Sequence, residues 1–198
     1  MDASLRPFIP ERRLSRSRLA ALFAVAGLVV PGCRSSWNGG ELYTPKWEPA
    51  WVKAREEAAF RVGLPGEGWK VHREQDSQVA WYHPDRKAII QVHSQCQEHG
   101  DSDLESFTDH LRIDSTDWQV LQQRYIRVVD REALRSTVMA AFDGAPPVKL
   151  ELIVVKKNGC VFDLDYLAAP ANFDGGLGDY EKVVAGFDFP VRRGRGGG

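Results

Sequence analysis

The chain has 198 residues, of which 43% are hydrophobic and 27% charged, and a formal net charge of −1. That length holds one domain with extensions, and the composition is that of an ordinary globular protein. The near-neutral balance leaves no basic footprint for nucleic acid, so no nucleic-acid partner is expected.

The first element is an address. Arg12, Arg13, Arg16 and Arg18 precede an uncharged apolar run over 19–30. This run is shorter than the roughly 17–25 residues that span a bilayer and has the proportions of a secretory signal. It ends in Val30-Pro31-Gly32-Cys33, which resembles the lipobox of bacterial lipoproteins: a branched residue at −3, a small one at −1, then cysteine. Pro31 at −2 departs from the usual pattern. The resemblance implies that residues 1–32 are a signal peptide and that Cys33 is the lipidation site, carrying palmitate-type chains that tether the protein to a membrane. Arg34 and Ser35 stand where an inner-membrane retention signal has an acidic residue, so the expected place is the outer membrane, facing the periplasm. The alternative is a plain cleavable signal with an incidental cysteine.

With Cys33 taken by lipid, Cys96 and Cys160 remain in an oxidising compartment, where an even pair reads as a disulfide. A bridge between them would stabilise by about 4 kcal/mol in the chain-entropy model. The alternative is two unpaired core thiols.

Residues 33–58 carry Gly39, Gly40, Pro45 and Pro49 and read as a linker. Its tryptophans, Trp37, Trp47 and Trp51, either anchor at a membrane interface or partner groove or pack back on the domain. A short helix is expected near 50–60.

The domain proper is expected over 59–189. Residues 64–68 form a turn and 69–73 a short strand; 78–83 and 87–96 pair around Pro84-Asp85, with Trp81 facing Ile89. Ser102-Asp103-Leu104-Glu105 reads as a capping box with Ser102 as the cap. The helix it opens carries Leu104, Phe107 and Leu111 on one stripe and should stop near Asp114. Strands follow at 120–129 and 132–142, the second with Leu134, Val138, Ala140 and Phe142 on one face.

The next two strands flank Asn158-Gly159, the strongest short-range hairpin signal. Val148, Leu150, Leu152 and Val154 alternate on one, and Cys160, Phe162, Leu164 and Tyr166 on the other. If both sets cover one core, a three-residue loop of Lys157, Asn158 and Gly159 is required. It pairs Val154 with Phe162, Leu152 with Leu164 and Leu150 with Tyr166. Phe142 would lie opposite Val148, and Ala140 opposite Leu150. Residues 174–178 read as a loop, Asp179 as the cap of a last helix with Tyr180, Val183, Val184 and Phe187 inward, and 190–198 as a disordered Gly/Arg-rich tail.

Several features in this order resemble the PsbP family, named for an extrinsic lumenal subunit of photosystem II, and the related Ran-binding import-factor fold. They are Pro65 and Trp69, a strand with Ala88-Ile89-Ile90, the first helix, Asp143-Gly144, Lys157-Asn158-Gly159-Cys160-Val161-Phe162, and a closing helix ending at Phe187. The resemblance covers about 59–189. It implies an α+β fold in which an antiparallel sheet of six to seven strands is flanked by helices on both faces. It also implies a non-enzymatic domain that assists or docks to larger complexes; the photosystem role is not carried over.

Chemistry-bearing clusters are few. His93, Cys96, His99 and His110 have the density of a zinc site, but His93 and Cys96 point to opposite faces of a strand, and a disulfide would remove Cys96 as a ligand. Cys96 or Cys160 as a nucleophile lacks a nearby base in sequence. Asp163 and Asp165 share the face opposite Phe162 and read as the solvated or helix-facing side of their strand. Gly63, Gly66 and Gly68 lack the strand, helix and lysine of a phosphate loop. Arg192, Arg193 and Arg195 read as solubilising charges.

The expectation is thus a lipid-anchored envelope protein with a protein-binding or complex-accessory domain, no catalytic residues, no metal and no cofactor. Its expected partners are the membrane and an envelope protein. The rival expectation is a carrier or sensor of a small hydrophobic ligand or lipid held between sheet and helix.

Overall fold

The computed structural model describes residues 43, 46–47, 59–72, 78–96 and 102–190. Among them eight strands form one sheet: β1 (Lys46–Trp47), β2 (Lys70–His72), β3 (Val79–His83), β4 (Ala88–Cys96), β5 (Ser115–Val128), β6 (Arg131–Phe142), β7 (Val148–Lys157) and β8 (Cys160–Ala168). Seven are antiparallel in the order β2-β3-β4-β8-β7-β6-β5, and the short β1 joins β4 in parallel beside Gln95 and Cys96. Helix α1 (Leu104–His110) lies between β4 and β5, and a 3-10 turn (Pro170–Asn172) leads from β8 into helix α2 (Phe173–Ala185).

Directly opposed residues of antiparallel strands share a face, so the register sorts the core into two layers. The front holds Ile90, Val92, Phe162, Leu164, Tyr166, Ile153, Val155 and Ala133 beneath Phe173, Tyr180 and Val183 of α2. The back holds Leu134 and Val154 beneath Leu104 and Phe107 of α1, and Val138, Ala140, Leu150 and Leu152 beside Leu111. An antiparallel sheet with a helix on each face is the arrangement that the PsbP resemblance implies.

The β7–β8 register differs from the expected one. The loop has two residues, Asn158 and Gly159, with φ of 52° and 75°, and Lys157 pairs with Cys160. Val154 therefore lies opposite Asp163, Leu152 opposite Asp165 and Ile153 opposite Leu164. Leu152 and Leu164 face opposite sides of the sheet. The expectation failed because it assumed one buried face, whereas β7 is apolar on both: Leu150, Leu152 and Val154 fill the back, Ile153 and Val155 the front. With both faces covered, nothing opposes the paired positive-φ turn whose twist matches the strands. Gly159 takes the left-handed conformation as expected. In the preceding pair Ala140 lies opposite Val148, and Val138 opposite Leu150, two residues from the expected alignment and so still on the expected shared face.

Three smaller readings are also corrected. Trp81 lies opposite Ile90, and Tyr82 takes Ile89. Asp103, not Ser102, caps α1, its Oδ1 accepting from the Ser106 amide at 2.8 Å, and the helix ends at His110. The glycine-rich segment read as a loop is the first half of α2. Phe173 and Tyr180 anchor that turn into the front core despite its low helix propensity. Gly176 is required there, because a Cβ would sit 2.3 Å from the Tyr166 hydroxyl.

Parts of the expected linker join the fold. Tyr43 exchanges backbone hydrogen bonds with Phe60 at 2.8 and 3.0 Å, and β1 extends β4. The expected helix near 50–60 falls outside the described residues over 50–58.

Candidate protein-docking edge

Strand β5 is the last strand of the sheet and the least covered. It runs for 14 residues against β6, and among the described residues its outer edge pairs with nothing. The hairpin turns at Val129 and Asp130, both at positive φ. Two register jumps interrupt β5: Thr116 is extra between Ser115 and Asp117, and Leu121 is extra between Val120 and Gln122. Such bulges twist an edge and re-aim its side chains.

Trp118, Val120 and Tyr125 lie opposite Ala140, Val138 and Leu134 of β6, and so form a back-face stripe that continues the core outward. Val120 is 47% exposed, Leu121 48%, Tyr125 51%, and Ile113, just beyond α1, 64%. The Tyr125 hydroxyl donates to the Glu105 carboxylate, tying the stripe to α1. That bond pushes the phenol up to about 12. The result is an unpaired row of backbone N–H and C=O groups beside exposed apolar side chains, the usual template for another chain.

Three polar clusters lie elsewhere. On the back, Gln91 and His93 of β4 oppose Asp165 and Asp163 of β8. Gln91 Nε2 donates to Asp165 Oδ2 at 3.0 Å, His93 Nδ1 lies 3.5 Å from Asp163 Oδ2, and Asp165 Oδ1 is buried with no partner. Burial first, and the neighbouring Asp163 second, push the Asp165 carboxyl up to about 7, against the pull of Gln91 and His93. On the front, Arg135 bridges Glu151 at 2.5 Å and Glu181 of α2. Burial opposes its charge, and the two carboxylates overcome this, holding the guanidinium above its ordinary value. At the sheet's other end Asp179 of α2 accepts from Trp69 Nε1 at 3.0 Å, Arg86 Nη1 at 2.5 Å and Lys182 Nζ at 2.6 Å. Burial would raise its carboxyl, but these donors lower it to about 2.

Among the residues singled out in the sequence, Cys96 and Cys160 are opposed across β4 and β8 and joined in a disulfide. Cys33 and the palmitate-type attachment expected there lie outside the described residues, as do His99, Trp37, Trp51, Arg192, Arg193 and Arg195. His93 turns to Asp163, while His110 Nδ1 contacts the Ser106 carbonyl at 2.6 Å within α1. Among the described residues no three His, Cys, Asp or Glu side chains converge as a metal site. Asp163 and Asp165 share the predicted face; of its two readings, solvated or helix-facing, the solvated one is corrected, because both are buried on the back, the face on which α1 packs. Gly66 and Gly68 take φ of 110° and 83° in the turn that delivers Trp69 to Asp179. The ligand-carrier alternative requires a cavity between sheet and helix. On the front the core holds packed rings: Phe60, Phe162, Phe187 and Phe189 lie at centroid distances of 5.0–5.8 Å, and beneath α2 Tyr166 lies 5.0 Å from Phe173. The sequence reading missed the length of β5 because it began the strand at Val120. Its signal, apolar residues with no covering segment, is legible only once strand order is known.

Neither protein-family models nor curated proteins match the chain. Among solved structures it is similar to the cyanobacterial PsbP (CyanoP) of Synechocystis sp. PCC 6803, at 10% identity over 77% of this chain and 96% of that one, with a TM-score of 0.49. It is similar to LpqN, involved in cell envelope biogenesis of Mycobacterium tuberculosis, at 12% identity over 74% and 89%, TM-score 0.47. A Bacteroides thetaiotaomicron VPI-5482 protein aligns at 11% identity over 67% of this chain, TM-score 0.44, and this chain spans 46% of its length. At such identities and TM-scores these are likenesses of fold in outline and assign no function, partner or compartment. No helix among the described residues is long and apolar enough to cross a membrane.

Proposed function

We propose that this chain is an exported lipoprotein, tethered through Cys33 to the cell envelope, whose domain works without catalysis as a docking module in a larger assembly. The observation that carries the reading is the unpaired, apolar outer side of β5. A long unpaired edge invites association with other strands, and soluble proteins ordinarily cover, charge or twist such edges; the two bulges of β5 twist it without covering its apolar side chains. Here Val120, Leu121 and Tyr125 remain in solvent. The Cys96–Cys160 bond supports export, since such bridges form and persist in oxidising compartments.

A photocrosslinking amino acid at Val120, introduced into the full chain in the cells that make it, tests the reading. Irradiation is expected to trap a discrete protein adduct in the envelope fraction, and the same probe at Glu67, in the turn before β2, is expected to trap none. Equal, diffuse labelling from both positions would overturn the docking role.

A further inference from the structure

Strand β5 is complementary to itself. Asp117 and Arg124 are seven residues apart, so in a regular strand they would point to opposite faces. The Leu121 bulge changes this. Asp117 lies opposite Ala141 and Arg124 opposite Arg135, six residues apart on β6, so both point to the front of the sheet. Both are exposed, and neither has an ion-pair partner among the described residues.

We propose that the outer edge of β5 pairs antiparallel with β5 of a second copy, about a two-fold axis between Val120 and Leu121, to make one continuous sheet. This names the occupant of the docking edge and rests on that reading. In this register Asp117 opposes Arg124 of the second copy and Arg124 its Asp117, giving two symmetry-related ion pairs on the front. Gln119 opposes Gln122 on the same face. On the back Trp118 opposes Gln123 and lies diagonal to Tyr125, within the reach of aromatic side chains across a strand pair. Val120 meets Leu121 at the axis. Residues opposed across the new junction thus agree in face from Asp117 to Arg124, the stretch over which the two strands pair; beyond the Thr116 bulge Ser115, on the back, would meet Ile126, on the front, and pairing ends there. Shifting the alignment by one residue breaks that agreement, because it sets Asp117 on the front against Gln123 or Tyr125 on the back. The arrangement is isologous, the commonest form of dimer, and closed, so it consumes both exposed edges without propagating a fibre.

The test is charge exchange in the full chain, read through a Leu121→Cys substitution beside the axis. Under oxidation in the cells that make the protein, Leu121→Cys is expected to give a dimer band on non-reducing gels, whereas the unsubstituted chain gives none. Adding Asp117→Arg or Arg124→Asp sets like charges face to face and should lower the dimer fraction about tenfold. The exchange of both should restore it, an outcome that misfolding cannot produce. Failure of the double exchange to restore the band would overturn the register and the dimer. A Val120 photoprobe that traps a different protein and no second copy would overturn the dimer while leaving the docking edge standing. A probe that traps nothing would remove both.

Discussion

Asp165 sits at 5% exposure on a central strand, with Gln91 on one oxygen and nothing on the other. Its raised carboxyl means that the folded protein keeps a proton which the unfolded chain releases near 3.8. The stability this group permits is therefore complete below about pH 4, declines as pH rises to about 7, and is level above. Asp165→Asn keeps an acceptor for Gln91, gains a donor towards Asp163 and removes the buried charge. It is expected to flatten the decline between pH 4 and 7 and to be more stable than the parent at pH 8 by roughly 1–3 kcal/mol. Urea unfolding at pH 5 and pH 8 measures both; a variant that is less stable at pH 8 would refute the assignment. Gly176 makes a second residue-scale case. Gly176→Ala drives a methyl into the Tyr166 hydroxyl, which donates to the Phe173 carbonyl at 2.8 Å, and should cost about 2–3 kcal/mol. Tyr166→Phe in that background should recover part of the loss, because the nearest clashing atom is gone. Neither site was legible in the sequence: Asp163 and Asp165 showed their shared face but not its cover, and Gly176 sat in what read as a loop.

The elements were more legible than their alignment. Turn chemistry at Asn158-Gly159, the stripe Leu104, Phe107 and Leu111, and the shared face of Leu134, Val138 and Ala140 each follow from local sequence pattern, and the structure holds all three. Register depends on which faces are covered, and β7 carries apolar side chains on both, so its pattern is compatible with either loop length. The same limit hid the start of α2, whose glycines oppose a helix while Phe173 and Tyr180 fix one. What holds α2 against the sheet end is Asp179, with donors from the turn before β2, from the β3–β4 turn and from its own next helical turn. Asp179→Asn keeps the shape but replaces one accepting oxygen with an NH2 group, so it loses the Lys182 bond and weakens the Trp69 and Arg86 bonds to a neutral acceptor; a loss of about 1–3 kcal/mol is expected. Because this carboxyl is depressed to about 2, its contribution is present above the unfolded value near 3.8 and is lost as pH falls towards 2. The penalty of Asp179→Asn should accordingly shrink in acid, the opposite trend from Asp165→Asn, and the two variants titrated side by side separate the two causes.

Along the seven antiparallel strands described, the sheet has one seam that local hairpins do not make. β2, β3 and β4 are sequential neighbours, and so are β5 to β8, but β4 joins β8 across the chain. The Cys96–Cys160 bond closes that seam at its end, with a sequence separation of 64. Replacing both cysteines by serine should therefore lower stability by about 2–4 kcal/mol, mainly by freeing the unfolded chain, and appear as a lower Tm in calorimetry.

Tethering is the property on which the proposed role at the envelope depends, and it rests on one side chain. A single acyl chain gives only reversible membrane binding, whereas a lipoprotein cysteine carrying several holds its protein stably. Cys33→Ala is expected to move the full chain from the membrane to the soluble fraction and to abolish labelling by a clickable palmitate analogue. It should leave the Cys96–Cys160 bond and the folded domain intact, because the described contacts of the sheet begin only at Tyr43. If the protein labels at Cys33 yet its β5 photoprobe traps nothing, the anchor stands and the docking edge falls. A protein that docks at β5 but never acquires lipid would be an exported adaptor free in its compartment, its effective concentration set by abundance and no longer by the membrane plane.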